Sequence, residues 1–211
     1  MAYDSTHFYG QFEYKLDHYL YDNFFSHTYE GVSIEAGASD GVTENTTKFF
    51  EEHMKWRTIN VEPLSGWYSK CVINRPSSVN INKALHPFYT GINISFSVPI
   101  IPEYGALNHL GSLNTAHVCK YNTDIYTETV STITYNRLIK DNNIQRLDLF
   151  VLDIEGYENV FLETFQQWTV LPKVFVIEVG HVDETSITNM ISSKYVLYDR
   201  QYVNNIYVLG D

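Results

Sequence analysis

The chain has 211 residues, 44% of them hydrophobic, a size and composition suited to one α/β domain with a continuous core. Its 14 basic and 25 acidic residues leave a net charge of −11, which argues against a nucleic-acid phosphate backbone as partner, because Lys and Arg drive that binding. No apolar run reaches membrane-helix length, the start lacks a signal-peptide pattern, and Cys71 and Cys119 are too few for a disulfide framework or a zinc site, so reduced cysteines in a cytoplasmic protein are expected.

Aromatic residues are dense at the start, where Phe8, Phe12, Tyr19 and Leu20 recur at near-helical spacing. The pattern predicts an amphipathic helix over about 5–27, within an N-terminal helical segment 1–30. A short apolar strand at 32–36 leads into the turn Gly37-Ala38-Ser39-Asp40-Gly41, a helix at 41–54 and a second strand at 57–62. A helix at 64–75 precedes a strand at 79–82, and 92–98 alternates with a period of two, as a further strand does. Residues 102–127 show no periodicity and read as a long substrate or lid loop. The pattern resumes from Ser131 with a short β segment, a helix at 135–143 and a strand at 148–153. After Ile154-Glu155-Gly156 a helix runs to about Trp168, and 174–179 is an apolar run typical of a buried parallel strand. A helix at 185–193 and β segments at 195–199 and 203–209 close a single domain, 1–211, whose last strand is expected to be antiparallel.

The strand–turn–helix–strand over 31–63 reads as a nucleoside-binding half-fold, with Glu62 ending the second strand where it would grip a ribose diol. The turn has the form G-x-x-x-G, not the G-x-G-x-x-G of dinucleotide binders. A pyrophosphate needs bare N–H groups at a helix N-terminus, whereas Glu35, Asp40 and Glu44 crowd that predicted helix start. Like charges about 4 Å apart repel by roughly 4 kcal/mol at an effective dielectric near 20, so a diphosphate is disfavoured. A cofactor carrying a sulfonium and an ammonium suits the turn, which selects S-adenosylmethionine over NAD or ATP. The plainer alternative makes Asp40 an N-cap and Glu44 a first-turn acid. It leaves Glu35, Gly37 and Glu62 unexplained.

Ligands of open α/β sheets bind outside the carboxyl ends of the strands. Those ends carry Glu35–Gly41, Glu62-Pro63, Asn82-Lys83-Ala84, Asp153-Ile154-Glu155-Gly156 and Glu178–His181. Each carboxylate alone would be an N-cap or a salt bridge. Carboxylates at four ends of one rim repel one another unless they face cations, donors or a ligand.

Gln11, Asp17 and Tyr19-Leu20, followed by EAGASDG, Glu44-Asn45-Thr46, FFEE at 49–52, Trp56, Glu62-Pro63 and Arg75-Pro76, lead to Asp148 and Asp153-x-Glu155-Gly156-x-Glu158. This succession, spanning almost the whole chain, resembles the FkbM-type family of S-adenosylmethionine-dependent methyltransferases. The sequence departs from the family's pattern at Glu44, where Ser is frequent, and at Leu152, where Lys is common. The resemblance implies a class I methyltransferase fold: a Rossmann-like, doubly wound, mostly parallel seven-stranded sheet with an antiparallel last strand, here with an added N-terminal helix. It implies O-methylation, often of a sugar hydroxyl. By the same resemblance Glu35, Gly37, Ala38 and Asp40 would hold the methionine part of the cofactor, and Glu62, with Pro63 beside it, the ribose hydroxyls. Asn82, Lys83 and Ala84 would meet the adenine, and Asp153 would lie beside the transferred methyl.

A sugar hydroxyl is a poor nucleophile, so a base or a metal should assist. Asp153, His181 and His109 are the candidate bases, with weaker claims for His86 and His117. Asp153 and Glu178, with Glu155 or His181, could bind a divalent ion through oxygen ligands. Aromatics of the long loop, Tyr104, Tyr121 and Tyr126, could stack a neutral sugar or glycan acceptor. Three other readings stay open: another hydroxylated acceptor or an RNA ribose, a non-catalytic cofactor-fold module that binds a partner, and a domain cut from a longer polypeptide.

Overall fold

The structure, a computed structural model, describes residues 3–101 and 110–210. Seven strands form the main sheet: β1 (Val32–Ala36), β2 (Arg57–Val61), β3 (Val79–Ile81), β7 (Leu147–Leu152), β8 (Pro172–Glu178), β9 (Tyr195–Gln201) and β10 (Asn204–Leu209). Their order is β3-β2-β1-β7-β8-β10-β9, with the first five mutually parallel and β10 antiparallel to both neighbours. The strand order reverses between β1 and β7, where a ligand crevice is expected. Ala36 pairs with both Val61 and Leu152, and Leu152 with Ile177, so four strands end nearly flush.

Alternation along the central strands assigns the two faces. Ile34, Ile59, Phe150, Leu152, Phe175 and Ile177 pack on α5 (Tyr135–Asp141), α6 (Glu158–Phe161) with the 3₁₀ turn 162–167, and α7 (Glu184–Ile191). Leu149, Val151, Val174, Val176 and Ile206 face the other way, against the N-terminal segment and α2 (Lys48–Met54). Phe49 and Phe50 of α2 are fully buried there, each contributing about 2–3 kcal/mol of apolar burial. At the far end of the sheet the buried Asp148 accepts from Val32 N and pairs with Arg146 and Lys173, tying β7 to β1 and β8. Its place is structural.

A second sheet, absent from the sequence-based expectation, has the order β4-β6-β5, built from β4 (Ala84–Leu85), β5 (Asn93–Pro99) and β6 (Ile125–Ile133). Its Phe96, Val98 and Val130 pack with Leu64 at the head of α3 (Ser65–Asn74). The described part of the predicted 102–127 loop is largely ordered: α4 (Thr115–Val118) and a 3₁₀ turn at 119–121 precede β6, and Ser112 pairs with Ser97 of β5. His109 and Tyr104 lie outside the described residues.

Three predicted helices are shorter in the structure; the one expected to run to about Trp168 is α-helical only over Glu158–Phe161 and continues as a 3₁₀ turn. The N-terminal helix over 5–27 is a 3₁₀ turn at 5–7, then α1 (Leu16–Leu20) and a π-helical turn at 21–25. The buried Asp17 carboxylate accepts from Tyr9 N, Gly10 N and His18 N, which folds residues 8–16 back on themselves. The helix expected over 41–54 starts only at Lys48. Gly41 and Glu44 have φ of +77° and +56°, and Asn45 Oδ1 accepts from Lys48 N. Neither Asp40 nor Glu44 therefore stands at the helix start. That position belongs to Glu35, which reaches across from β1 to accept from Thr46 N and Thr47 N at 2.8 and 3.0 Å. Of the cysteines, both free, Cys71 is buried while Cys119 is exposed.

Candidate active site

A cavity of about 360 Å³ opens at the carboxyl ends of β1, β2, β7 and β8. Its floor is the turn after β1. Gly37 has φ +84°, and a Cβ there would lie 1.8 Å from the carbonyl oxygen of Asp153, so only glycine lets these strand ends meet. Gly37 N and Ala38 N donate to Val61 O, which locks the turn to β2.

Glu62 closes the next corner. Its carboxylate accepts from Ser39 N at 2.9 Å and Leu64 N at 2.8 Å, and burial pushes its pKa up to about 7 against those two donors. Asn82 sits behind it, its Nδ2 donating to Glu62 O and Pro63 O. Pro63, Lys83 and Ala84 line the cavity beside Glu62, whereas Asn82 does not. Asp40 also stays outside the lining, its carboxylate engaged by Val42 N, Thr43 N and the Thr43 hydroxyl within its own turn.

The turn 41–47 is held from outside the cavity by Arg75, buried to 1% exposure. Its guanidinium pairs with Glu51 and donates to Gly41 O at 3.1 Å and Asn45 Oδ1 at 2.8 Å. Sequence reasoning registered Arg75 only as part of a motif. It likewise registered Gln11 only in that motif and Phe12 only in the aromatic spacing, whereas both cover the cavity from the N-terminal segment. A bridge between Gly10 and Glu44, and Phe12 stacked on Tyr202 at 4.0 Å, hold that cover in place. Nothing local in the sequence signals these long-range contacts.

At the other end the strand termini bring Asp153, Glu155 and Glu178 together with His181, all lining the cavity. Burial raises Asp153 well above the usual carboxylate range, helped by Glu155, Glu35 and Glu44. Burial also raises Glu155, and raises Glu178 with added repulsion from Asp153. Glu158, fully buried behind them and accepting from Ile154 N, is pushed up to about 8. His117 of α4 joins from outside the lining, 3.6 Å from Glu155 Oε2, its ring 4.4 Å from that of His181. Burial lowers the pKa of both histidines, with Lys120 nearby adding to the effect. Six carboxylates line the described cavity (Glu35, Glu44, Glu62, Asp153, Glu155 and Glu178) against one lysine, Lys83. Such a wall repels polyphosphates and attracts cations.

An open sheet of this order, with its crevice at the switch point and a glycine turn facing an acidic strand end, defines the class I methyltransferase fold. The family profile described as "Methyltransferase FkbM domain" matches residues 35–199, and the chain belongs to that family. Membership implies S-adenosylmethionine as methyl donor. Among solved structures the chain is similar to a methyltransferase FkbM from Methylobacillus flagellatus KT, at 15% identity and TM-score 0.50, over 88% of this chain and 46% of that one. The chain thus spans about half that protein's length, and the likeness is one of fold. It is also similar to the fibrillarin/Nop5p complex (10% identity, TM-score 0.45, covering 86% of this chain and 73% of that one). A TehB-like SAM-dependent methyltransferase from Corynebacterium glutamicum follows at 8% identity and TM-score 0.43, covering 92% and 87% of the two chains. The last two likenesses bear no weight here. Among curated proteins none matches. No helix among the described residues is long and apolar enough to cross a membrane.

Proposed function

We propose that the chain is an S-adenosylmethionine-dependent O-methyltransferase acting on a hydroxyl of a sugar or glycan. The observation that carries the reading is the glycine-floored cavity whose six carboxylates gather at the carboxyl ends of β1, β2, β7 and β8 and face a single lysine. Asp153 and Glu178 in particular suit a cationic ligand: burial and repulsion from neighbouring carboxylates raise their pKa values, and a positive charge would relieve both. When bound, the cofactor supplies an electrophilic methyl on a sulfonium. Gly37 and Ala38 would hold its methionine part along the turn, with Glu35 fixing the start of α2 beside it and Asp40 fixing the turn's far side. Glu62 keeps lone pairs beyond its two backbone donors for the ribose diol, with Pro63, Lys83 and Ala84 forming the wall beside the base and Asn82 bracing them.

Methyl transfer requires the acceptor oxygen held in line and its proton removed. Of the candidate bases, Asp153 fits best, since it lines the cavity at the end of β7 and burial raises its basicity above that of an ordinary carboxylate. His181 turns toward Glu155 and Glu178. Phe12, Phe96 and Tyr157 give the cavity apolar faces against which a sugar ring could lie. The net charge of −11 disfavours an RNA acceptor.

The test begins with calorimetric titration of S-adenosylmethionine, S-adenosylhomocysteine and ATP into the protein. Binding of the first two but not ATP, weakened about ten-fold or more by Glu62→Ala, is expected. Incubation with methyl-labelled cofactor and a glycan panel, read by mass, then identifies the acceptor. Cofactor binding without label on any hydroxylated acceptor would sink the catalytic reading.

A further inference from the structure

We propose that His117, Glu155 and His181 hold a divalent transition-metal cation, with Glu178 as an additional ligand. Glu155 Oε2 lies 3.6 Å from His117 Nε2 and 3.7 Å from His181 Nε2, and His181 Nε2 lies 3.6 Å from Glu178 Oε1. The donor atoms of His117, Glu155 and His181 all fall within 4.8 Å of one another. These separations exceed those of N–H···O hydrogen bonds, about 2.7–3.2 Å, so the groups converge without bonding one another. Donors about 2.0–2.2 Å from a common tetrahedral ion stand roughly 3.3–3.6 Å apart, close to the separations of Glu155 from the two imidazoles.

A second observation concerns the bonding of these carboxylates. Glu155 Oε2, the oxygen that faces both imidazoles, is buried with no hydrogen-bond partner, and so is Oε2 of the nine-tenths-buried Glu178, whose Oε1 faces His181. Buried carboxylate oxygens without donors are costly unless a cation meets them. Tyr121 Oη also approaches the cluster, 3.5 Å from His117 Nε2.

The surrounding chain is shaped for this convergence. Asn114 Nδ2 donates to Gly156 O at 2.9 Å, pinning α4 to the turn after β7. A Cβ at Gly156 would come within 3.2 Å of the His117 ring, so the glycine lets the imidazole seat beside Glu155. Two imidazoles with one or two carboxylates favour zinc, manganese, iron, cobalt or nickel over magnesium and calcium, which prefer all-oxygen sites. The set differs from the one the sequence suggests, which is centred on Asp153 and Glu178 with Glu155 or His181: here Asp153 is left out and His117 joins. It leaves Asp153 as proton acceptor and places the ion along the cavity wall at Glu155 and His181. There it could hold the acceptor hydroxyl and ease loss of its proton. That role, though not the binding, rests on the methyl-transfer reading.

The experiment titrates zinc, manganese and magnesium chlorides separately into the chelator-stripped full chain by calorimetry. One zinc or manganese ion per chain should bind, and magnesium far more weakly. His117→Ala, His181→Ala and Glu155→Gln should each weaken binding about ten-fold or more, while His86→Ala leaves it unchanged. Retained S-adenosylhomocysteine binding by His117→Ala and Glu155→Gln certifies their folds. Absence of saturable zinc or manganese binding, indifference to the substitutions, or a preference for magnesium would overturn the site. Metal binding without methyl transfer would leave the site standing and refute the proposed activity; methyl transfer with no metal bound would do the reverse.

Discussion

Arg75 allows a prediction whose size follows from its surroundings. The guanidinium is 1% exposed and its partner Glu51, with 12% of its side chain exposed, has the Ser78 hydroxyl as a further donor. Arg75→Met removes the charge while keeping much of the volume. It strands the Glu51 carboxylate and deprives Gly41 O and Asn45 Oδ1 of their guanidinium donor. Breaking one side of a buried ion pair costs about 3–5 kcal/mol. For a chain of this length that lowers Tm on the order of 10 °C. Replacing both partners by apolar residues removes the stranded charge, so the double variant Arg75→Met/Glu51→Met should recover much of the loss. Asn45 and Thr46 of the turn held by Arg75 line the cavity. Cofactor affinity should therefore fall in the single variant, although Arg75 itself does not line it. Urea and thermal unfolding give the stability difference, and calorimetry the affinity. A single variant within about 1 kcal/mol of the parent, or a double variant no more stable than the single, would refute this reasoning.

Gly37→Ala and Gly91→Ala place a methyl at nearly the same backbone angle, φ +84° and +79°, but only Gly37 has an atom in the way. Gly91→Ala should cost about 1–2 kcal/mol of backbone strain and leave cofactor binding intact, whereas Gly37→Ala should abolish binding. Equal binding by the two variants, measured by calorimetry, would contradict the close approach of β1 and β7. The free protein should also melt at higher temperature at pH 5 than at pH 8. Burial raises Glu62 and Asp17 to about 7 in the folded chain, against ordinary values of 4.5 and 3.8. Between roughly pH 4 and pH 7 the folded state therefore binds protons that the unfolded chain releases, and stability falls as pH rises through that window, by roughly 3 kcal/mol per group. A Tm that climbs from pH 5 to pH 8, followed by calorimetry, would reverse the sign and discredit those two shifts.

The parallel core was legible because its strands are buried on both faces. The run 174–179 could be little else, and Glu62 and Asp153 follow from where such strands stop. The start of α2 was illegible because it depends on Glu35 of β1, which is adjacent to it only after folding. The aromatic spacing of residues 8–20 suits a helix, yet Asp17 captures the N–H groups of Tyr9 and Gly10 and breaks it. His117 reads as an ordinary histidine within an aperiodic stretch. Its meeting with Glu155 depends on a glycine 39 positions away, at Gly156, and on a small helix whose four residues carry no periodic signal.

The insertion of β10 between β8 and β9 has a consequence for the order in which the protein can assemble. β9 precedes β10 in the chain but cannot reach the sheet except through it. Until β10 docks, β8 is an exposed edge, and Glu178 lacks the pairing with Asn204 that aligns its strand end. Asn204 and Val203 are themselves part of the cavity wall. The acidic end of the pocket is therefore finished by the pairing of the chain's last strand with β8, and the glycine turn at the other end can be in place before it. A pocket built in this sequence is able to contact a ligand with one half while the other half is still being formed.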